Sequence, residues 1–315
     1  MAEEADLKSA KCGFDSHHGQ FILRGGLKML IGSYAKQTSS GIPLISNGQI
    51  DMDAVKQLAY FDIVTLEATP FAMDTDGNGK GEIPLLLRKL NPDIQIFLYL
   101  LVGDQWLPPA FPTKSNDKSA FARIYNAVDL TDGWLYGIDG KQWYPNYRVD
   151  LGHTLTISAL ANEYKPLIST HLFNAIFLDD CHTSIAWTND TSVRKLDLKD
   201  KYTSLAEMDK ARLDNIEYLI DLIHIYGGKN FRVALNGTGP RPRGVDIDFR
   251  EGLGSLISIE DAIIWMKNPG THWLMANVYS QSSPLIQTIQ DIGNQGDSII
   301  TAGPGRDGPS YQIPR

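Results

Sequence analysis

Six carboxylates fall where apolar runs of the chain end. Glu67 closes FDIVTLE, Asp104 follows IQIFLYLL, Asp179 and Asp180 close FNAIFLDD, and Glu260 closes SLISIE with Asp261 next to it. A charged group at the end of a buried strand is costly without a partner. Where several strand ends converge, such groups share one cavity. Paired carboxylates in a cleft are what acid/base sugar chemistry needs: one protonated to donate to the leaving oxygen, the other ionised to attack or to activate water. Asp179 and Glu260 extend the apolar runs IFL and ISI and form the candidate catalytic pair, with Asp180 as the alternative to Asp179. Plainer roles stay open for the rest. Asp180 and Asp261 have the residue type that caps a following helix, and Glu67 has the type that serves in a structural ion pair.

Aromatic residues gather around the same segments. Trp106, Trp134, Trp143, Tyr144, Tyr147, Trp187 and Tyr279 fall in loops or at strand ends, where a ring face can stack on the apolar face of a sugar. Trp143 and Trp187 are the candidate stacking platforms. Asn236, at the end of FRVALN, and Tyr279, at the end of WLMANVY, are candidates to orient a sugar, together with Asp150, Glu67 and Asp104. Arg148 and His182 are further polar residues near the same rim. Trp265 and Trp273 read as core.

Three other signals are weaker. Asp74, Asp76 and Asn78, with Gly79, match the start of an EF-hand loop, but Leu85 stands where the bidentate glutamate belongs. The segment is therefore either a structural Ca²⁺ site or a polar glycine-rich loop. His17-His18 has no second ligand pair at zinc spacing. Cys181-His182 suggests a thiol nucleophile only by adjacency, and neighbours on a strand point to opposite faces.

The elements that must position these groups are read from eight short apolar or β-branched runs. They are Leu27–Tyr34, Phe61–Glu67, Ile94–Leu101, Phe173–Asp180, Phe231–Asn236, Ser255–Glu260, Trp273–Tyr279 and Ser298–Ala302. Near-continuous apolar runs suit parallel strands covered on both faces. Helical patterns alternate with them. Asp51–Tyr60 precedes the second run, and Leu160, Ala161, Tyr164, Leu167 and Ile168 share a stripe before the fourth. Ser204–Tyr226 carries Leu213, Ile216, Leu219, Ile220 and Ile223 on one face and stops at Gly227-Gly228. Ser283-Pro284 starts another helix. The alternation predicts an α/β chain folded as a single (β/α)₈ TIM barrel over 27–303, with an N-terminal extension 1–26 and a tail 304–315. A doubly wound sheet is disfavoured, because no G-x-G-x-x-G follows a strand. A long aromatic-rich loop is expected from about Gly103 to about His153, between strands three and four.

Composition bounds the partners. Of 315 residues, 43% are hydrophobic and 21% charged, and the formal net charge is −8. Such an acidic chain lacks the positive footprint that nucleic acid or anionic lipid requires. No apolar run is long enough to span a membrane, and the amino terminus has no apolar core of a secretory signal. A soluble protein is expected, its location undetermined between virion-associated and extracellular.

The order FNAIFLDD, FRVALNG, SLISIED, WLMANVY resembles glycosyl-hydrolase-like TIM-barrel families, namely the hypothetical glycosyl-hydrolase-like family fifteen and, more distantly, the endo-α-1,4-polygalactosaminidases. Trp143–Asp150 (WYPNYRVD) resembles the W-P…D element before their fourth strand. The resemblance implies that the aspartate of F-L-D, here Asp179, and a later strand-end glutamate, here Glu260, are the catalytic pair. The expectation is a glycoside hydrolase that cleaves a polysaccharide or oligosaccharide and requires no cofactor. The alternative is a non-catalytic glycan-binding or structural barrel within a larger particle such as a phage tail.

Overall fold

The alternation of strand and helix is realised in a computed structural model as a mixed α/β fold with parallel strand pairing. It describes residues 30–35, 45–46, 49–59, 63–67, 81–105, 120–138, 147–185, 196–198, 201–253, 273–278 and 298–302. In chain order the elements are β1 (Leu30–Ala35), β2 (Ile45–Ser46), β3 (Gln49–Ile50), α1 (Met52–Leu58), β4 (Ile63–Glu67), α2 (Glu82–Leu90), β5 (Gln95–Leu101) and β6 (Asp104–Gln105). There follow α3 (Ala120–Leu130), β7 (Tyr147–Arg148), α4 (Thr154–Ile168), β8 (Ala175–Asp179), α5 (Leu205–Gly227) and β9 (Arg232–Asn236). The last three are β10 (Ile247–Leu253), β11 (Trp273–Val278) and β12 (Ser298–Ala302).

The chain divides into two compact units. In the unit made of 1–65, 86–95 and 246–315, β1 pairs with β12, β12 with β11, and β11 with β10, all in parallel. The short β2 and β3 pair antiparallel there. α1 starts where the Asp51 carboxylate accepts the N–H groups of Asp53 and Ala54, at 3.0 and 3.1 Å, an N-cap that satisfies two otherwise orphaned donors. Ala54, Val55 and Leu58 are its buried face.

The other unit, 66–85 and 96–245, holds β5, β8 and β9 in parallel register. Tyr99 stands opposite Phe177, and Phe177 opposite Ala234. Asn174 ties the three strands together at their start. Its side chain accepts from Ile96 N–H at 2.9 Å, and its carbonyl accepts from Arg232 N–H at 3.1 Å. α4 buries the expected stripe, Leu160, Ala161, Tyr164, Leu167 and Ile168, together with Thr156 and Ile157. α5 begins at Ser204, whose hydroxyl accepts from Glu207 N–H, while the Glu207 carboxylate accepts from Thr203 N–H at 2.7 Å. It ends at Gly228, where φ is 79°, a conformation that glycine adopts without a Cβ penalty.

Two elements among the described residues were not expected. Ile247–Leu253, not expected as a strand, forms β10 and pairs with β11, while the expected run Ser255–Glu260 lies outside the described residues. The β10 sequence, IDFREGL, mixes charge with apolar residues and lacks the continuous apolar run sought as a strand signal. Residues 254–272, Glu260 among them, lie outside the described residues. The described part of the stretch between β5 and β8 is the second. It contains α3 and the antiparallel pair β6–β7, with Trp134 bridged to Val149 beside it. The α3 sequence, AFARIYNAVDL, was hidden among aromatic and proline-rich flanks; Ile124 and Val128 are buried on it. The terminal segments 1–26 and 304–315 and the helix expected at Ser283-Pro284 also lie outside the described residues. Among the described residues, no helix is long and apolar enough to cross a membrane.

Candidate active site

Strand alternation explains why Asp179 meets the partners it does. On β8, Ala175, Phe177 and Asp179 share one face. Tyr99 on β5 and Ala234 on β9 flank Phe177 in register. One pleat further on, Asn236 closes β9 beside Asp179. Tyr99 and Phe177 pack at 5.7 Å between ring centroids, tilted by 46°. That packing holds the Tyr99 hydroxyl against the strand end, where it donates to Asp179 Oδ2 at 2.5 Å. Asn236 Nδ2 donates to Asp179 Oδ1 at 2.7 Å, and the Asp180 N–H donates to the same oxygen at 3.0 Å.

Burial and the neighbouring Asp180 charge push the Asp179 carboxyl above its ordinary value, and the three donors pull it back. A carboxylate with three donors and no cationic partner among these contacts is held in place as an acceptor. Burial leaves it more basic than an ordinary carboxylate. That combination suits a nucleophile or base.

Asp180 leaves the strand with a φ of 51°. Aspartate tolerates this left-handed conformation better than most residues. Non-glycine residues held there cluster at functional sites. Its side chain is 36% exposed, and its Oδ1 lies 3.5 Å from His182 Nε2. Gly103 makes the turn feasible. A Cβ there would sit 1.8 Å from the Asp180 carbonyl oxygen, so only glycine lets the two backbones approach. Cys181 is fully buried, and burial pushes its thiol up to about 12, which leaves no thiolate for nucleophilic chemistry.

A buried ionic cluster supports this corner. Asp150, expected to orient a sugar, is fully buried. Its Oδ1 accepts from Tyr202 Oη at 2.8 Å and Gly152 N–H at 3.1 Å, and Lys201 Nζ lies 3.8 Å from Oδ2. Asp104 is likewise buried and pairs with Arg148, whose Nη2 donates at 3.2 Å. Both carboxylates serve as anchors in this structure. Trp134, read as a stacking candidate, is core. Its Nε1 donates to Asp129 at 3.0 Å and its ring packs on Tyr125.

Arg212 was missed altogether. It lies in the apolar stripe of α5 and is fully buried, its Nε donating to the His182 carbonyl at 3.0 Å and its Nη1 to the Val149 carbonyl at 3.3 Å. Burial lowers its basicity, and Asp150 opposes that shift. Tyr99 was also missed, since it reads as one more large residue in IQIFLYLL. The only signal is its place two residues from the end of β5, on the face that β8 shares at Asp179.

Glu260, Tyr279, Trp143 and Trp187 lie outside the described residues, as do Asp74, Asp76 and Asn78. Glu67 is the last residue of β4, and its side chain is not among those described. Of the residues singled out from sequence, the structure thus brings together Asp179, Asp180, Asn236 and His182.

No family profile and no curated protein sequence matches the chain. Solved structures do. A cycloalternan-degrading enzyme from Trueperella pyogenes aligns with a TM-score of 0.53 at 10% identity, covering 98% of this chain and 47% of that one. The alpha-L-fucosidase isoenzyme 2 from Paenibacillus thiaminolyticus gives 0.54 at 12% identity, over 92% and 47%. The alpha-galactosidase from Lactobacillus brevis gives 0.50 at 10%, over 90% and 39%. This chain spans less than half the length of those three. The likeness shows a glycosidase-like fold and, at this identity, the fold alone.

Proposed function

We propose that the chain is a glycoside hydrolase acting on a polysaccharide or oligosaccharide, with Asp179 as its nucleophile or base. The observation that carries this reading is the Asp179 carboxylate at the end of β8, gripped by Tyr99, Asn236 and the Asp180 N–H. Asp180 and Asn236 orient the sugar beside it. Glu260, Trp143, Trp187 and Tyr279 complete the proposal on the sequence pattern: Glu260 as general acid, the two tryptophans as platforms, and Tyr279 against the sugar. Two carboxylates suffice for the reaction, and no cofactor is invoked. A glycosidase-like fold favours this over other carboxylate chemistry.

The parallel pairing in each unit also supports one (β/α)₈ barrel over 27–303, of the glycosyl-hydrolase-like kind that FNAIFLDD and WYPNYRVD resemble. In such a barrel the carboxyl ends of β8 and β9 lie on the catalytic face.

The test is a panel of polysaccharides offered to the parent, Asp179→Asn and Glu260→Gln. Hydrolysis by the parent and its loss in both variants is the expected result. Full turnover by either variant on a substrate the parent cleaves removes that residue from the mechanism. Glycan binding without hydrolysis by the parent favours the non-catalytic role.

A further inference from the structure

His182 follows the two aspartates, and its surroundings fix more than its position. The loops after β8 and β9 run backbone to backbone. Cys181 N–H donates to the Asn236 carbonyl at 2.8 Å, and Thr183 N–H to the Thr238 carbonyl at 3.0 Å. A Cβ on Gly237 would meet the Cys181 carbonyl oxygen at 2.3 Å, so the approach depends on glycine. Arg212 Nε holds the His182 carbonyl from α5 at 3.0 Å. The backbone of His182 is therefore pinned from two sides.

The ring is pinned as well. Thr238 N–H donates to His182 Nδ1 at 2.9 Å. A backbone N–H can only donate, so Nδ1 must offer its lone pair. The Thr238 hydroxyl, 3.0 Å from the same nitrogen, can pass its own proton to the Ser184 carbonyl at 3.0 Å. The ring proton is thereby placed on Nε2. That nitrogen lies 3.5 Å from Asp180 Oδ1, a long contact of the kind that tightens when a substrate closes a site.

We infer that His182 is a positioning residue, which through an Nε2–H tautomer set by Thr238 holds Asp180 Oδ1 and so aims the Asp180 carboxylate at the substrate. Asp180 needs such a hold. It is a short side chain on a left-handed backbone, and no described residue other than His182 contacts its carboxylate. The inference rests on the glycosidase reading for what Asp180 does, but the tautomer does not.

Two substitutions separate the two ring nitrogens. Asparagine places an acceptor near Nδ1 and no donor near Nε2; glutamine places a donor near Nε2 and forgoes the Thr238 bond. His182→Asn is expected to lose about tenfold in kcat on a cleaved glycan, the loss of the Nε2–H contact with Asp180, while His182→Gln keeps most of it. Equal losses in both overturn the positioning role, since a merely structural ring would not distinguish them.

The tautomer is read separately, by long-range ¹H–¹⁵N NMR of the full chain near neutral pH, with His182 assigned by its absence in His182→Asn. An Nε2–H pattern whose shifts move in Asp180→Asn is expected. An Nδ1–H or doubly protonated pattern overturns the inference. Absence of hydrolysis by the parent counts against the glycosidase reading, and the NMR pattern alone then decides whether His182 holds Asp180.

Discussion

Tyr99 Oη donates to Asp179 Oδ2 across the β5–β8 pair at 2.5 Å, and this bond opposes the burial that raises the carboxyl's pKa. The two effects act on one group with opposite sign, so they can be separated. Tyr99→Phe removes a donor that favours the charged form and raises the Asp179 pKa further. If activity needs ionised Asp179, the acid limb of the pH–rate profile moves to higher pH. Asp180→Asn removes a like charge and moves that limb to lower pH. Profiles of kcat/KM for the two variants check the pair, and shifts in the same direction would refute it.

The same burial has a stability consequence. Asp179 has a folded pKa above its ordinary value of 3.8. Its contribution to stability is fully present below 3.8 and is lost as the pH rises through the raised folded value. Asp179→Asn carries no charge to bury. Its melting temperature should match the parent's in acid and exceed it towards neutrality, by about 2–4 °C for each kcal/mol relieved. Thermal melts of both proteins between acid and neutral pH measure the gap.

Gly103 and Gly228 make a contrast. Gly103→Ala drives a Cβ into the Asp180 carbonyl, where only backbone can yield. The expected cost is about 1–3 kcal/mol, with most of the activity lost as Asp180 shifts. Gly228→Ala meets nothing within 4 Å and strains only its own φ of 79°. It should cost stability by about 1 kcal/mol and leave kcat unchanged. Denaturant melts and steady-state rates on the two variants test this.

Much of this site was legible in the chain, and the reasons are physical. Asp179 and Asn236 ended apolar runs, and a strand end is where a run's periodicity stops; β8 and β9 were placed within two residues of their ends. β12 matched throughout, Ser298–Ala302. β10 was not legible, because Asp248, Arg250 and Glu251 interrupt its pattern. Arg212 was not legible either. A helix stripe is read by apolar residues, and a guanidinium buried on the His182 and Val149 carbonyls looks like a solvated residue until those partners are known. Tyr99 hid for the opposite reason, since its ring satisfies the apolar pattern and only its hydroxyl has chemistry.

The Arg212 cluster carries a prediction of its own. Asp150→Ala leaves a buried guanidinium uncompensated and Tyr202 without its acceptor. Losing Tyr202's acceptor and the charge that offsets the guanidinium should cost about 1–3 kcal/mol. Arg212→Met should cost a similar amount, and the double variant less than the sum, because each removal relieves the other's orphaned charge. Urea denaturation of the three variants gives the coupling directly.

The central claim is that Asp179 performs chemistry on a bound sugar. It is tested most directly by comparing glycan binding and hydrolysis in Asp179→Asn and the parent, on one substrate the parent cleaves. The variant should bind that glycan with affinity close to the parent's and lose hydrolysis by about 10²–10⁴-fold. Hydrolysis within twofold of the parent, with binding intact, would contradict the claim.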